Sequence, residues 1–138
     1  MECRVHRLVA DVAVFAGDAT VLVRYRDVSR YDGQRGWFLP DDVLGHVEHP
    51  ADGARRIVHE QLGLDVEPRL DHIESFGDGA WHLIFHFRAD VQTGAALTLG
   101  GNVHAAEWFD LDRLPADDEM AHGGWGSEVL RAMRAGTA

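Results

Sequence analysis

Residues 39–64, LPDDVLGHVEHPADGARRIVHEQLGL, constrain this chain more than any other stretch. A short apolar run ends at Pro40, a polar loop follows, and a helix opens at Pro50. Proline suits the first turn of a helix, where its missing N–H is not needed, and Asp52 suits the same turn. Ala54, Val58 and Leu62 recur every four residues and define one buried stripe. Gly63 then stops the helix, because glycine takes the left-handed cap conformation freely.

The flanks supply strands. Residues 5–15 are apolar and rich in β-branched side chains, Gly17-Asp18 marks a turn, and residues 21–25 read as the returning strand of a hairpin. Residues 26–36 form a polar loop. Residues 37–39 read as a short strand that Pro40 ends. Two further strands, 72–76 and 81–89, surround the Gly77-Asp78-Gly79 turn, and 105–111 is another, ended by Leu114-Pro115. The Gly-bearing segment 94–101 has no clear period. Residues 127–134 close the chain as a helix with Val129, Leu130 and Met133 on its apolar face. Along strand 81–89, Trp81, Leu83, Phe85 and Phe87 alternate with His82, Ile84, His86 and Arg88, so the aromatic set is expected in the core. The order of strands, helix, strands, helix implies an α+β fold, an α/β/α sandwich.

The 138 residues fit a single domain over 1–138, with no internal repeat or linker. A formal charge of -10 argues against polymeric nucleic acid as a partner. Every one of the 13 basic residues is Arg, so any phosphate clamp uses bidentate guanidinium forks. No stretch reaches membrane-span length. The lone Cys3 forms no intrachain disulfide, and the expected location is cytoplasmic.

With Gly63 as anchor, Glu48, Arg56, Val58, Glu60, Gly63 and Leu64 fall at the spacing G-x5-E-x7-R-E-U-x-E-E-x-G-U, where U is aliphatic. This resembles the box of the Nudix hydrolases, which cleave nucleoside diphosphates linked to another group. Trp37-Phe38-Leu39-Pro40 before the box resembles the strand leading into it, and Glu107-Trp108-Phe109 resembles the family's late strand. The resemblance implies a Nudix-like α/β/α sandwich with a mixed β-sheet and a loop-helix box. It departs at three positions: Asp42 replaces the first Gly, Ile57 the Glu after the Arg, and Gln61 the last Glu.

The resemblance also implies site residues. In the family, box glutamates hold hard divalent cations on the pyrophosphate, and the Arg orients a loop Glu. That places Glu60, Glu48, Arg56 and Glu107 as catalytic candidates, with Glu60 and Gln61 as the metal pair for Mg2+ or Mn2+. Gln61 offers a carbonyl oxygen without charge, and Ile57 offers no ligand at all. The Glu48–Arg56 pair also reads as a structural brace. Asp41-Asp42 reads as a pair of solvated turn residues, or as extra cation-binding charge.

Ligand contacts are assigned to Arg24, Arg26, Arg35 and Trp37, and to His82 and His86 on one strand face; a basic edge and core packing are the plain alternatives. Nearby Arg30, Tyr25 and Tyr31 belong to the same candidate mouth. His46 and His49, with Glu48 and Glu60, offer a substituted transition-metal site, although each histidine alone reads as a surface residue. The expected partner is a phosphorylated small molecule, without a membrane. A homodimer is expected from the resemblance. Two functions follow: metal-dependent hydrolysis of a nucleoside diphosphate derivative, weakened by the lost carboxylates, or non-hydrolytic ligand binding as a sensor or partner subunit.

Overall fold

The computed structural model describes residues 6–77 and 79–135. The expectations for Cys3 and for Asp78 lie outside them. Six strands form one mixed sheet: β1 His6–Ala16, β2 Ala19–Tyr25, β3 Asp41–Val43, β4 Arg69–Gly77, β5 Trp81–Asp90 and β6 Val103–Asp110. The order is β4-β5-β1-β2-β6, with β3 also on β1. β1 and β5 run parallel, and every other pairing is antiparallel. Helix α1, Pro50–Leu62, covers one face of the sheet, and α2, Trp125–Ala135, covers the other. This is the α/β/α sandwich expected from the order of elements. Among the described residues, no helix is long and apolar enough to cross a membrane.

Alternation along the central strands builds two cores. Val12, Val14, Val21 and Val23 pack with Ile57, Val58 and Leu62 of α1. Ala13, Phe15 and Leu22 point the other way and pack with Val129, Leu130 and Met133 of α2. Each of the larger side chains, Val, Leu, Ile, Phe or Met, contributes about 2 kcal/mol by leaving water.

Two expectations need correction. Residues 37–39 do not form a strand; Phe38 makes a single bridge to Val23 and Trp37 one to Met120. The strand forms after Pro40, at Asp41–Val43, where a turn was expected. Proline lacks a donor but keeps its carbonyl, and Pro40 O accepts from Val12 N at 2.9 Å. Segment 38–43 thereby crosses from β2 to β1, filling the gap where those two strands splay apart. The second correction concerns β5. Phe87 is buried, but Trp81 is 46% exposed, because α1 covers only the far end of that face. On the opposite face, assigned to the ligand, Ile84 and His86 are buried.

Candidate functional site

The box helix is held by its own sequence. His49 caps it, with Nδ1 accepting from Ala51 N at 3.0 Å, and Pro50 opens the first turn. Gly63 closes it with φ 67°. Residues 98–100 satisfy its last carbonyls: Thr98 N donates to Leu62 O and Gly100 N to Gln61 O. A Cβ on Gly63 would lie 2.8 Å from Thr98 Cβ, so glycine is required there by both conformation and space.

Arg56 is the hub of the loop. Its Nε and Nη2 donate to both oxygens of Glu48, at 2.9 and 3.0 Å. Its Nη1 donates to Asp42 Oδ2 at 2.9 Å, and Asp42 Oδ1 accepts from Arg30 Nη2 at 2.9 Å. Hydrogen bonds from Arg56 hold the Glu48 carboxyl below its ordinary pKa. Asp42 therefore links the box arginine to Arg30, and is neither a free turn residue nor an open cation ligand.

The face of α1 that carries metal in the family is closed. Ile57 is fully buried among the α1-side core residues. Gln61 is buried as well, and both ends of its amide are taken. Oε1 accepts from the Tyr25 hydroxyl at 2.9 Å, and Nε2 donates to Asp41 O at 2.9 Å. Tyr25 stacks on Tyr31 with ring centroids 4.1 Å apart, and both rings lie against Phe38. Glu60 stays exposed, 3.6 Å from Arg56. One carboxylate beside a guanidinium, an amide already engaged and an isoleucine do not fit magnesium, which exchanges its waters only for several charged oxygens.

The other face of the sheet carries the polar chemistry. Register aligns Asp41 of β3, Asp11 of β1, His86 of β5 and His72 of β4 in one cross-strand row. His86 is fully buried; its Nδ1 meets both oxygens of Asp11 at 2.8 Å, and its Nε2 meets Glu74 Oε1 at 2.7 Å. Burial alone would lower its pKa; the Asp11 and Glu74 carboxylates outweigh that and raise it. Burial raises the Asp11 carboxyl in turn; an imidazolium at His86 would donate from both nitrogens and pair these buried charges. Trp125, at the start of α2, lies 5.3 Å from the His86 ring and roofs it.

Two residues along the same strands, a cleft of about 320 Å³ opens. Its floor is Val9 and Ile84; Phe76 and His82 stack at one rim, 4.8 Å apart, and Tyr31, His122 and Trp125 form the other. Arg7 and Arg30 reach it, each paired to a carboxylate: Arg7 to Asp32 at 2.6 Å, Arg30 to Asp42. The cleft thus offers aromatic faces and two guanidinium groups, each held by a carboxylate.

The candidates from sequence fall in separate places. Glu48, Arg56 and Glu60 come together in the loop-helix box. Glu107 lies on β6 opposite Leu22, on the α2 side of the sheet, so it is not gathered with Glu60. Arg24 stacks over Trp37 at 4.5 Å, and Trp37 is buried in the α2-side core. Arg26 and Arg35 are exposed. His82 lines the cleft, and His86 anchors the row beside it. His46 and His59 are exposed, and His49 caps α1.

Residues that sequence reasoning missed are Arg7, Asp11, His72, Glu74 and Trp125. A signal for one of them existed. Asp11 interrupts an otherwise apolar, β-branched strand, and a carboxylate there needs a buried partner.

Comparison with known proteins follows the same line. A family model described as the NUDIX domain matches residues 5–129. No curated protein matches the chain. Among solved structures, a Nudix hydrolase from Nitrosomonas europaea is 20% identical with a TM-score of 0.73, covering 94% of this chain and 89% of that one. A MutT Nudix hydrolase from Burkholderia pseudomallei is 21% identical with a TM-score of 0.66, covering 80% and 87%. An ADP-ribose pyrophosphatase from Streptococcus suis is 21% identical with a TM-score of 0.65, covering 96% and 92%. At these identities the likeness speaks for the fold.

Proposed function

From membership of the Nudix family, to which this chain belongs, we propose that it binds a phosphorylated, nucleotide-like small molecule without hydrolysing it through the box helix. One observation carries this reading: the Gln61 carbonyl is committed to the Tyr25 hydroxyl inside the protein, beside a buried Ile57. Turning the amide to a cation would break both of its buried hydrogen bonds, to the Tyr25 hydroxyl and to Asp41 O, at a cost of about 1 kcal/mol each. The cleft supports the ligand class. An aromatic base fits against Phe76, His82, Tyr31 or Trp125, and phosphate oxygens can displace Asp32 and Asp42 from Arg7 and Arg30.

Calorimetry with a panel of nucleoside diphosphate derivatives, followed by chromatography of the recovered ligand, tests the reading. The expected outcome is saturable binding of at least one of them, weakened roughly tenfold by Arg30→Ala, with the ligand intact after incubation with Mg2+ or Mn2+.

A second reading is hydrolysis of such a derivative with Mg2+ or Mn2+. It is favoured by Glu60, which is exposed at its box position beside Arg56. Turnover that needs the added metal and disappears in Glu60→Gln would establish it and remove the first.

A further inference from the structure

We propose that His72, Glu74 and His86 form a binding site for a divalent transition-metal ion of the zinc class, separate from the box helix. Their ligand atoms lie within 4.8 Å of one another. A four-coordinate ion with bonds of about 2.0–2.2 Å draws such atoms inward by small side-chain rotations. The register of β4 on β5 creates the group, because His72 sits directly opposite His86 and Glu74 is the next residue on the same face. The two imidazole rings are 4.5 Å apart.

The outer contacts distinguish this group from a chance cluster. His86 Nδ1 is held by Asp11 at 2.8 Å, and His72 Nδ1 by Asp71 at 2.6 Å. Each imidazole is thus oriented by a carboxylate on one nitrogen, leaving Nε2 as its metal-binding atom. Carboxylate-backed imidazoles are the usual support of histidine metal ligands, since the second hydrogen bond fixes the tautomer and raises ligand basicity. His86 is fully buried and gives the site a rigid wall, whereas His72 and Glu74 are about one-third exposed and leave a path for the ion.

Two imidazoles and one carboxylate favour zinc, cobalt or nickel over magnesium. The ion would take the place of the proton between His86 Nε2 and Glu74, and its binding would release that proton. A fourth position is left for water or for a ligand group from the neighbouring cleft. The assignment does not depend on what the cleft binds.

The full chain, freed of metal by chelator and dialysis, is titrated with Co2+ and then with Zn2+. The expected result is a saturable visible absorption band at one Co2+ per chain, bleached by one equivalent of Zn2+, with the zinc retained on desalting. His72→Ala and Glu74→Gln, both at part-exposed positions on an edge strand, should each weaken Co2+ binding at least tenfold while circular dichroism stays unchanged. Asp71→Asn should weaken it about tenfold, through the orientation of His72 alone. The double variant His46→Ala, His49→Ala should bind as the parent does. Absence of a saturable band, binding that survives in both His72→Ala and Glu74→Gln, or loss of binding in the His46/His49 variant would each overturn the assignment.

Discussion

Asp41 carries a carboxylate oxygen, Oδ1, that is shut off from solvent and has no hydrogen-bond partner. Burial pushes its pKa well above the ordinary carboxylate range, and the Asp11 and Asp42 carboxylates push the same way. The native state therefore disfavours its ionisation. The resulting penalty is absent below the unfolded pKa of about 4, grows as pH rises from there toward the folded value, and levels off above it. Asp41→Asn removes the charge and can donate toward Asp11. We expect a gain on the order of 1 kcal/mol at pH 8 and less at pH 5, read as the difference in thermal midpoint between variant and parent at each pH. A loss at pH 8, or a difference that ignores pH, would refute this.

Gln61 has the opposite character. Its neutral amide is the side chain that can satisfy Tyr25 and the Asp41 carbonyl together. A carboxylate in its place would keep the first contact and lose the donor for the second.

At the scale of elements, the loop between β3 and α1 holds an unusual backbone. Val47 has φ 53° and is 90% exposed. A β-branched residue in the left-handed region is strained by roughly 1–2 kcal/mol, and here no packing compensates. Val47→Gly should raise the thermal midpoint by a few degrees, corresponding to about 1 kcal/mol after the extra freedom of glycine in the unfolded chain is deducted. Calorimetric melting decides it, and an unchanged or lower midpoint counts against the strain.

Helix α1 was legible because its marks are local: Pro50, the apolar stripe, and Gly63. The β1–β2 hairpin and the late strands were legible from alternation for the same reason. Strand β3 was not, because Pro40 looks like a terminator unless one knows that Val12 waits for its carbonyl. The hydrogen-bonded chain Asp11–His86–Glu74 was half legible. Alternation put His86 on one face of β5, but the pairing with Asp11 spans 75 residues and depends on which strands lie side by side. The closure of the box face followed from the sequence in part: Ile57 announced itself as core, while the Tyr25 contact that occupies Gln61 did not.

Over the whole molecule, the site is assembled from the most distant parts of the chain. Parallel pairing of β1 with β5 closes a long loop, and the cleft exists only once that pairing is made. Long-range closures of this kind carry their entropy cost before any contact repays it, so they are slow steps. If the cleft completes after the folding barrier, a bound ligand should slow unfolding and leave refolding unchanged. Stopped-flow denaturant jumps with and without the best ligand from the panel measure both limbs. Acceleration of refolding would place the cleft in the folding nucleus instead.

The same geometry has a meaning for the chain while it is being made. β1 is made before the other described strands, with a carboxylate near its centre and an edge awaiting a neighbour. The strand that supplies both the neighbour and the countercharge is synthesised some 75 residues later. Over that interval the nascent chain can complete its hairpin and box helix but keeps an open, acidic β edge. Such a charge discourages pairing with a foreign strand. The Asp11 charge acquires its buried partner only when β5 has been made.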